Sequence, residues 1–373
     1  NVYLYYTKFH LPHTDAVFSL NDMKLENVAI DIHEHHPDKK YILGIESSCD
    51  DTSASILKNG KVLSNVIVNQ NIHKKYGGVV PELASRAHLS NIIPVVDSAL
   101  KESKVSIKEI SAIAFTRGPG LMGSLIIGTE FAKGLGLSLN VPVIDVNHMQ
   151  AHLLVHFIKN DLKKPSFPFL GVTISGGHTQ FIYVEDYFKM KILGQTLDDA
   201  IGEAFDKCGK KIGLGYPAGP EIDKLSKSGN ELKYKFPLPK VKGGDISYSG
   251  TKTAFINFLH KEKTKNQNFI DENLNDICAS IQKNLIDNLL SKIEILSIKN
   301  NLNTIVFGGG VSANSYLKNR LDKASKLNNW KVFIPELQYT TDNAAMIGIV
   351  GHLKYKDSVK SSLNSTPSPR LTF

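Results

Sequence analysis

The chain has 373 residues, 42% of them hydrophobic, which suits a globular protein of about two domains with a large buried core. Its longest apolar stretch, residues 121–139, is interrupted by Glu130 and Lys133, which excludes a membrane-spanning helix and predicts no membrane partner. The formal net charge of +8 favours a polyanionic partner such as a nucleic acid, although a lysine-rich composition alone gives the same charge.

The three cysteines form no Cys-x-x-Cys pair, and their number is odd. This pattern argues against a disulfide framework and a zinc ribbon, and it indicates a reducing compartment. Cys208 and Cys278 are predicted to be small buried apolar residues.

Residues 1–40 show neither hydrophobic periodicity nor a charged-then-apolar signal pattern, and we expect a tail outside the folded core. Met23 is a candidate start of translation within it. The histidines at positions 33, 35 and 36 could bind adventitious metal, but a solvated tail is the simpler interpretation.

From residue 41 the chain alternates between strand and helix patterns. Pro81 suits the first turn of a helix over residues 82–104. The other elements predicted in the first half are strands at 41–45, 54–57, 62–68, 113–116 and 141–146, and helices at 123–139 and 148–158.

A Lys- and Pro-rich linker at 163–168 separates this half from a second one, in which the pattern starts again. The predicted strands are 169–174, 180–184 and 304–307, and the predicted helices are 198–212, 250–262, 271–299 and two that begin at Ser312 and Asp342. The sequence therefore predicts two α/β lobes, residues 41–149 and 150–342, with a ligand cleft between them. The helix 343–358 is expected to pack back on the first lobe, and 359–373 to form a tail.

Three small-residue turns follow predicted buried strands, at residues 44–52, 175–179 and 308–314. Their backbone N–H groups can surround a phosphate, and the third turn leads into a helix. Asp50 and Asp51 in the first turn would repel a bare phosphate, so they fit better beside a metal or as a base. The chain has neither a Walker loop nor a dinucleotide fingerprint.

His148 and His152 lie four residues apart, so one helical face can present both imidazoles to one ion. Asp342, predicted at a helix start, could be a third ligand or simply the cap. Two histidines and a carboxylate suit Fe(II) or Zn(II) with open coordination positions. Met149 stands where a zinc peptidase has its glutamate, which argues against proteolysis.

Taken together, these segments resemble the tRNA N6-adenosine threonylcarbamoyltransferases, over about residues 41–355. The motifs that carry the resemblance are residues 44–52, 77–82, 85–88, 116–120, 123–125, 148–152, 175–179, 202–207, 308–314 and 341–343. The resemblance implies a two-lobed, actin-like (ribonuclease H-like) α/β fold. It also implies transfer of the threonylcarbamoyl group from threonylcarbamoyl-adenylate to N6 of the adenosine beside the anticodon of tRNAs reading ANN codons, with release of AMP.

The resemblance also implies roles for residues. His148, His152 and Asp342 match the ligands of one divalent metal, Fe(II) in preference to Zn(II), and Asp50 matches an acid that assists the amine attack. The positions that match the adenylate site are Ile174, Ser175, Gly176, Gly177, His178, Asp206, Gly219, Asp223 and Asn314. One departure is Ala218, where the family commonly has glycine; a positive φ there would strain the alanine.

The motifs look bacterial, which implies a cytoplasmic enzyme working with a paralogous inactive subunit and a small P-loop ATPase. Three alternatives stay open. A kinase or ATPase of the same fold would leave the histidine pair idle, Met149 disfavours a metalloendopeptidase, and the retained ligand trio disfavours a non-catalytic scaffold.

Overall fold

The computed structural model describes residues 40–373. The predictions for residues 1–39, including the tail, the start at Met23 and the three histidines, lie outside the described residues. None of the helices between residues 40 and 373 combines the length and the hydropathy that crossing a bilayer requires.

The first half contains a five-stranded mixed sheet. Its strands are β1 (Tyr41–Glu46), β2 (Thr52–Lys58), β3 (Lys61–Val68), β4 (Ile110–Gly118) and β5 (Val143–Asn147). The spatial order is β3-β2-β1-β4-β5, in which β1, β2 and β3 form an antiparallel meander while β4 and β5 run parallel to β1. The central strand β1 is buried along its whole length, as expected for a strand covered on both faces.

Three α-helices accompany this sheet: α1 (Pro81–Ser103), α2 (Met122–Leu139) and α3 (His148–Leu154). Pro81 occupies the first turn of α1, where a missing N–H costs nothing. Helices α1 and α2 pack on one face of the sheet through an apolar cluster that includes Ile92, Val95 and Phe115. Short 3-10 turns at Asn71–Tyr76, Ile107–Glu109 and Val155–Phe157 complete the half.

The second half repeats the same sheet topology. Its strands are β6 (Phe169–Ile174), β7 (Thr179–Val184), β8 (Met190–Gln195), β9 (Thr304–Gly308) and β10 (Lys331–Phe333). The order β10-β9-β6-β7-β8 again joins an antiparallel meander to two strands parallel to the first. Each half thus brings the carboxyl ends of its first and fourth strands to one edge of its sheet, which is where ligands bind in such sheets.

The helices of this half and the last helix of the chain are α4 (Ile201–Lys211), α5 (Gly219–Ser226), α6 (Ser249–Lys265), α7 (Phe269–Lys299), α8 (Ser315–Asn328) and α9 (Ala344–Lys356). Helix α7 is buried over most of its length and, with α4 and α6, contributes to a large apolar core against β6 and β9. Cys208 and Cys278 lie in this core as free, buried thiols. Burial raises the pKa of each thiol to about 12.

Helix α3 lies between the two sheets. Ala151 and Leu154 pack into the cluster behind the first sheet, whereas Leu153 packs against Phe169 and Val306 of the second sheet. Because a seven-residue helix has little stability of its own, these contacts on both sides hold α3 in place. The residues at its start are therefore fixed relative to both halves.

Helix α9 returns to the first half and packs on the face of the sheet opposite to α1 and α2. Its backbone approaches β1 so closely that a Cβ on Gly44 would stand 2.4 Å from the carbonyl oxygen of Ala344. Only glycine allows this approach. The residues just before α9 are thereby placed beside the carboxyl end of β1.

Residues 359–373, predicted as a tail, run along the first half in the structure. The Ser361 hydroxyl accepts a hydrogen bond from the Asp145 N–H at 2.6 Å, and the Ser368 N–H donates to the Arg117 carbonyl at 2.8 Å. Further along, the Gly120 N–H donates to the Pro369 carbonyl at 3.2 Å. The segment reaches the edge of the sheet that faces the second half.

Several predicted boundaries were wrong or incomplete. The helix predicted at 148–158 ends at Leu154 and continues as a 3-10 turn, and the helix predicted from Ser312 begins at Ser315, after a 3-10 turn at Gly310–Ala313. Three elements of the structure, β8, β10 and α5, were not predicted from the sequence. Those strands have half-exposed, mixed patterns, and α5 has only eight residues, so none carries a strong periodic signal.

Candidate functional site

A cleft of about 1260 Å³ lies between the two halves. Turns from both sheets line it, at the carboxyl ends of β1, β6 and β9, together with the starts of α4 and α5. Of the residues assigned to the site from sequence, these line the cleft: Asp50, His148, Ser175, Gly176, Gly177, His178, Asp206, Gly219, Asp223, Asn314 and Asp342.

Two assigned residues do not line the cleft. The side chain of Ile174 is fully buried in the core of the second half, so only its backbone could serve a ligand. His152 is also buried, with 1% exposure, and it lies behind His148 and Asp342.

The ligand atoms of His148, His152 and Asp342 all lie within 4.8 Å of one another. The Nε2 atoms of the two histidines are 3.1 Å apart, and Oδ1 of Asp342 is 3.4 Å from Nε2 of His148 and 3.2 Å from Nε2 of His152. The two rings stand at 86° to each other, and the three ligand atoms are close enough together to reach one ion. His148 and Asp342 also line the cleft, which places this group beside the ligand space.

Local sequence explains the position of the histidines. The Asn147 side chain caps α3 by accepting hydrogen bonds from the Met149 and Gln150 N–H groups, at 2.9 and 3.1 Å. His148 is consequently the first residue of α3, and His152 lies one turn later on the same face.

Asp342 does not begin the last helix. The N-cap of α9 is Asn343, whose side-chain oxygen accepts a hydrogen bond from the Met346 N–H at 3.1 Å. The prediction that Asp342 starts or caps the helix was therefore wrong by one residue. Because Asn343 satisfies the helix end, the Asp342 carboxylate is left to point at the histidines.

Glu46, at the end of β1, contacts Nδ1 of His148, the ring nitrogen that does not face Asp342. Its Oε2 atom lies 3.1 Å from Nδ1 of His148 and accepts a hydrogen bond from the Thr116 hydroxyl at 2.6 Å. A carboxylate on the far nitrogen of a histidine fixes the ring and its tautomer, as around many protein metal ions. This role of Glu46 was not predictable from local sequence, because the two residues are 102 positions apart and no local pattern joins them.

The pKa values of the two histidines are shifted in opposite directions. Burial would lower the pKa of His148, but the carboxylates of Asp342 and Glu46 outweigh burial and raise it to about 10. Burial and the neighbouring His148 lower the pKa of His152. The opposite shifts of the two pKa values reflect how closely the two imidazoles and the carboxylates interact, and binding of one cation by both Nε2 atoms requires both to be unprotonated.

Negative charge accumulates on the cleft side of the cluster. Burial, with repulsion from Asp342 and Asp50, raises the pKa of Asp51 to about 7, even though the Asn69 amide donates a hydrogen bond to it at 2.7 Å. Burial and the same carboxylates raise the pKa of the Cys49 thiol well above its usual range, so Cys49 is no thiolate nucleophile. A divalent cation at His148, His152 and Asp342 would relieve this repulsion, and the residues present fit one.

The turn after β6 is open to a ligand. The Ser175 hydroxyl accepts a hydrogen bond from the His178 N–H at 3.1 Å, and the Ser175 N–H donates to the His178 carbonyl at 2.9 Å, which closes the turn. A Cβ at Gly176 or Gly177 would meet no atom within 4 Å. The glycines therefore leave space for a ligand beside the backbone and are not required by packing. Burial lowers the pKa of His178 to about 4, so this imidazole is neutral.

The turn after β9 leads to the start of α8. Gly309 has φ of 93°, and a Cβ there would stand 2.4 Å from the Ile174 carbonyl oxygen, so glycine is required. The Asn314 side chain caps α8 by accepting from the Leu317 N–H at 2.8 Å. Asp223 accepts from the Ser315 N–H and hydroxyl, both at 3.0 Å, so it holds the same helix end.

Asp206 connects α4 to the start of α5. Its carboxylate accepts a hydrogen bond from the Ala218 N–H at 2.7 Å, and burial raises its pKa. Ala218 itself has φ of −86°, so the alanine found where the family commonly has glycine is not strained. Its methyl lies 2.2 Å from the position of a Cβ on Gly209, which shows that α4 and α5 pack closely here.

Comparison with known proteins gives a consistent family match. The family model described as tRNA N6-adenosine threonylcarbamoyltransferase matches residues 61–349. A protein of that name from Christiangramia forsetii is 53% identical over 89% of this chain and 98% of its own length. Those from Riemerella anatipestifer and Phocaeicola vulgatus are 52% and 50% identical, over 88% and 89% of this chain and 97% and 99% of their own lengths.

Solved structures resemble this chain in fold. HypF from T. kodakarensis aligns with a TM-score of 0.58 and 14% identity, over 86% of this chain and 48% of that one. Component A of (R)-2-hydroxyglutaryl-CoA dehydratase from Acidaminococcus fermentans aligns with a TM-score of 0.51 and 15% identity, over 85% and 99%. At these identities the likeness concerns the fold alone, and it confirms the predicted two-lobed α/β class.

Proposed function

The chain belongs to the tRNA N6-adenosine threonylcarbamoyltransferase family, and we propose that its central cleft performs this reaction with the residues described above. The donor is threonylcarbamoyl-adenylate, the acceptor is N6 of the adenosine beside the anticodon in tRNAs reading ANN codons, and AMP is released. The proposal places the enzyme in the cytoplasm, with its RNA substrate.

The second half supplies the adenylate site in this proposal. The backbone of Ser175–Gly177 and the side chain of His178 lie on one side of the cleft, and Asp206 and Gly219 lie on another. Uncrowded glycines allow the phosphate close to backbone N–H groups, while the carboxylate of Asp206 suits the ribose hydroxyls. Asp223 and Asn314 orient the start of α8 towards the same space.

We further propose that His148, His152 and Asp342 hold one divalent metal, Fe(II) in preference to Zn(II). When bound, such an ion supplies positive charge that polarises the donor. Glu46 keeps Nδ1 of His148 protonated and its Nε2 directed at the ion site. The single observation that carries the assignment is the convergence of these ligand atoms at the same cleft as the glycine turns.

Asp50 is our proposed base. The exocyclic amine of adenine is a poor nucleophile, and a carboxylate near it assists attack by taking its proton. Of the two adjacent acids in the cleft, Asp51 is tied to Asn69. A proton held by Asp51 also limits the total charge of the pair near neutral pH.

A kinase or ATPase of the same fold is the second candidate, because the phosphate turns alone would suit it. The buried cluster of two histidines, Glu46 and Asp342 favours the transferase, since such a kinase or ATPase has no use for the cluster. The tests are mass spectrometry of tRNA nucleosides after incubating the chain with tRNA and the adenylate, with and without the candidate partner chains, and a separate assay of ATP hydrolysis. Formation of threonylcarbamoyladenosine supports the proposal, whereas ATP turnover without it supports the alternative.

The partner chains are also a proposal. Helices α1 and α2 touch at Ser85 and Gly123, and four large apolar side chains on them are exposed. These are Leu89, Ile93, Met122 and Ile126, exposed by 65%, 65%, 48% and 41%. They form two i, i+4 pairs on adjacent helices, and such a continuous apolar face indicates a protein interface. We propose that a paralogous inactive subunit covers it and that a small P-loop ATPase joins the complex.

This interface can be tested by size-exclusion chromatography with a candidate subunit. Leu89→Asp with Ile93→Asp should abolish co-elution. Leu327→Asp, at a leucine that is 86% exposed on α8, should not. Co-elution of all variants would exclude the α1–α2 face as the interface.

A further inference from the structure

The mouth of the cleft carries residues that the metal and adenylate sites do not use. Lys74, Lys75 and Tyr76 end the 3-10 turn Asn71–Tyr76, line the cleft and are exposed, Tyr76 by 60%. Lys210 is exposed near the end of α4 and belongs to the second half. Its Nζ lies 3.5 Å from the position of a Cβ on Gly77. Both halves therefore contribute to one exposed group, which we name the lysine–tyrosine rim: Lys74, Lys75, Tyr76 and Lys210.

Buried hydrogen bonds hold the 3-10 turn that carries Lys74, Lys75 and Tyr76 in place. His73 is 1% exposed, and its Nδ1 accepts a hydrogen bond from the Val80 N–H at 3.2 Å. Its Nε2 consequently donates to Oε1 of Gln70 at 2.8 Å, and the Gln70 amide donates to the Ala84 carbonyl in the first turn of α1 at 3.2 Å. These bonds hold the turn against α1, so its exposed side chains are presented from a fixed backbone.

The charges of the rim are not neutralised by the protein. Within residues 40–373, Lys74, Lys75 and Lys210 make no ion pair. Lys207, which also lines the cleft, differs: its Nζ lies 2.6 Å from Asp199 and 2.8 Å from Glu203. The interior of the cleft is acidic through Asp50, Asp51 and Asp342. A cationic rim around an acidic interior suits a chain of phosphates outside and an uncharged base inside.

Resting on the proposed function, we infer that the lysine–tyrosine rim is the binding site for the anticodon loop of tRNA. The three lysines contact loop phosphates, and Tyr76 stacks on a base next to the target adenosine. Single-stranded loops are recognised by stacking on aromatic rings combined with phosphate contacts, because their bases can turn outwards. Tyr76 lines the cleft together with the lysines and is 60% exposed, so its ring is accessible to a base next to the adenosine that enters.

The test measures the affinity of the full chain for an unmodified tRNA transcript that reads an ANN codon, across a salt series. We expect Lys74→Glu with Lys75→Glu to weaken binding at least tenfold, and the slope of log affinity against log salt to fall by about two. The matched control is Lys61→Glu with Lys108→Glu, which makes the same charge change. Both control lysines are exposed at the far end of the first sheet, near the start of β1.

Tyr76 is tested separately. Tyr76→Ala should weaken binding at least about fivefold, whereas Tyr76→Phe, which keeps the ring, should bind within about twofold of the wild type. Metal content and AMP binding should be unchanged in all rim variants, because these variants keep every residue assigned to the metal and adenylate sites.

Three results would overturn the inference: equal losses in the rim and control doubles, wild-type affinity in Tyr76→Ala, or no salt-sensitive tRNA binding by the wild type with or without partner chains. The nucleoside assay on the same wild-type preparation separates this inference from the proposed function. If modified tRNA forms while the rim variants bind tRNA like the wild type, the rim inference alone is refuted. If no modified tRNA forms even with the candidate partner chains present, the proposed function is refuted.

Discussion

The two halves of the molecule share one sheet topology but differ in the chemistry of their turns. In the first half, β1 ends with Glu46, the turn after it carries Asp50 and Asp51, and the helix after β5 begins with His148. In the second half, the turn after β6 is Ser-Gly-Gly-His, and three consecutive glycines stand at the end of β9 and directly after it. The turns of one half thus present mainly charge and ligand atoms, whereas those of the other present mainly glycine backbone.

This difference shows how two halves with the same sheet topology can contribute different chemical groups to one reaction. The glycine turns suit a phosphate, which needs N–H groups at close range, and the charged turns suit a cation and proton transfer. Both kinds of turn line the cleft between the halves. Substitutions confined to one half should therefore separate metal loss from loss of donor binding.

The largest effect is expected at the histidines. His148→Ala and His152→Ala each remove one nitrogen ligand, and we expect much less bound metal and at least a hundredfold lower rate of tRNA modification. Both variants should stay folded, since the apolar clusters of α3 do not include the imidazoles. Elemental analysis and the nucleoside assay on the same preparations check this.

The matched control is His260→Ala, at an exposed histidine on α6, which should keep metal and activity. Wild-type metal content in both histidine variants would show that the pair is structural, and the charged half would lose its proposed role.

Substitutions at the two residues before α9 should distinguish the proposed metal ligand, Asp342, from the helix cap, Asn343. Asp342→Asn should reduce metal content and lower activity at least about tenfold with little change in stability, because Asn343 and not Asp342 caps the helix. Asn343→Ala should keep the metal ligands but lower the free energy of unfolding by about 1–2 kcal/mol, since it removes the bond to the Met346 N–H. Metal analysis and urea unfolding of both variants are the measurements, and reversed outcomes would contradict the assignment.

Much of this organisation was predictable from local patterns. The i, i+4 histidine spacing, the glycine turns and the long helices are local features, and the strand–helix alternation gave the α/β class. Contacts between distant residues were not predictable in the same way. The support of His148 by Glu46 and the meeting of Lys210 with Gly77 across the cleft depend on packing of the two halves. The position of Asp342 was misjudged because two residues that can cap a helix stand side by side.

Alanine substitutions at two glycines of the second half, Gly176 and Gly309, should differ in their effects on stability and on donor binding, because their surroundings differ. Gly176→Ala adds a methyl that meets no protein atom, so we expect unchanged stability and an adenylate KM raised about tenfold. Gly309→Ala should instead destabilise the fold by at least ~2 kcal/mol, because φ is 93° and the methyl would meet the Ile174 carbonyl. Gly134→Ala, whose Cβ also meets nothing, is the control and should keep the KM. An unchanged KM in Gly176→Ala would remove this turn from the donor site.

The smallest effect concerns the histidine that joins the two halves. His156 follows His148 and His152 along the same stretch, but its Nε2 donates to the Phe307 carbonyl of β9 at 2.8 Å. Burial lowers its pKa to about 4, despite that hydrogen bond. Between pH 4 and the ordinary histidine pKa of about 6.5, the unfolded chain therefore binds a proton that the folded chain does not, so stability falls as the pH is lowered.

We expect His156 to account for about 1 kcal/mol of the loss of stability between pH 7 and about pH 5.5. His156→Gln should reduce the loss of unfolding free energy over this pH range, measured by urea unfolding, by about 1 kcal/mol, while the same substitution at the exposed His260 should not reduce it. If both variants keep the wild-type dependence, His156 does not provide a neutral, pH-sensitive contact between the halves.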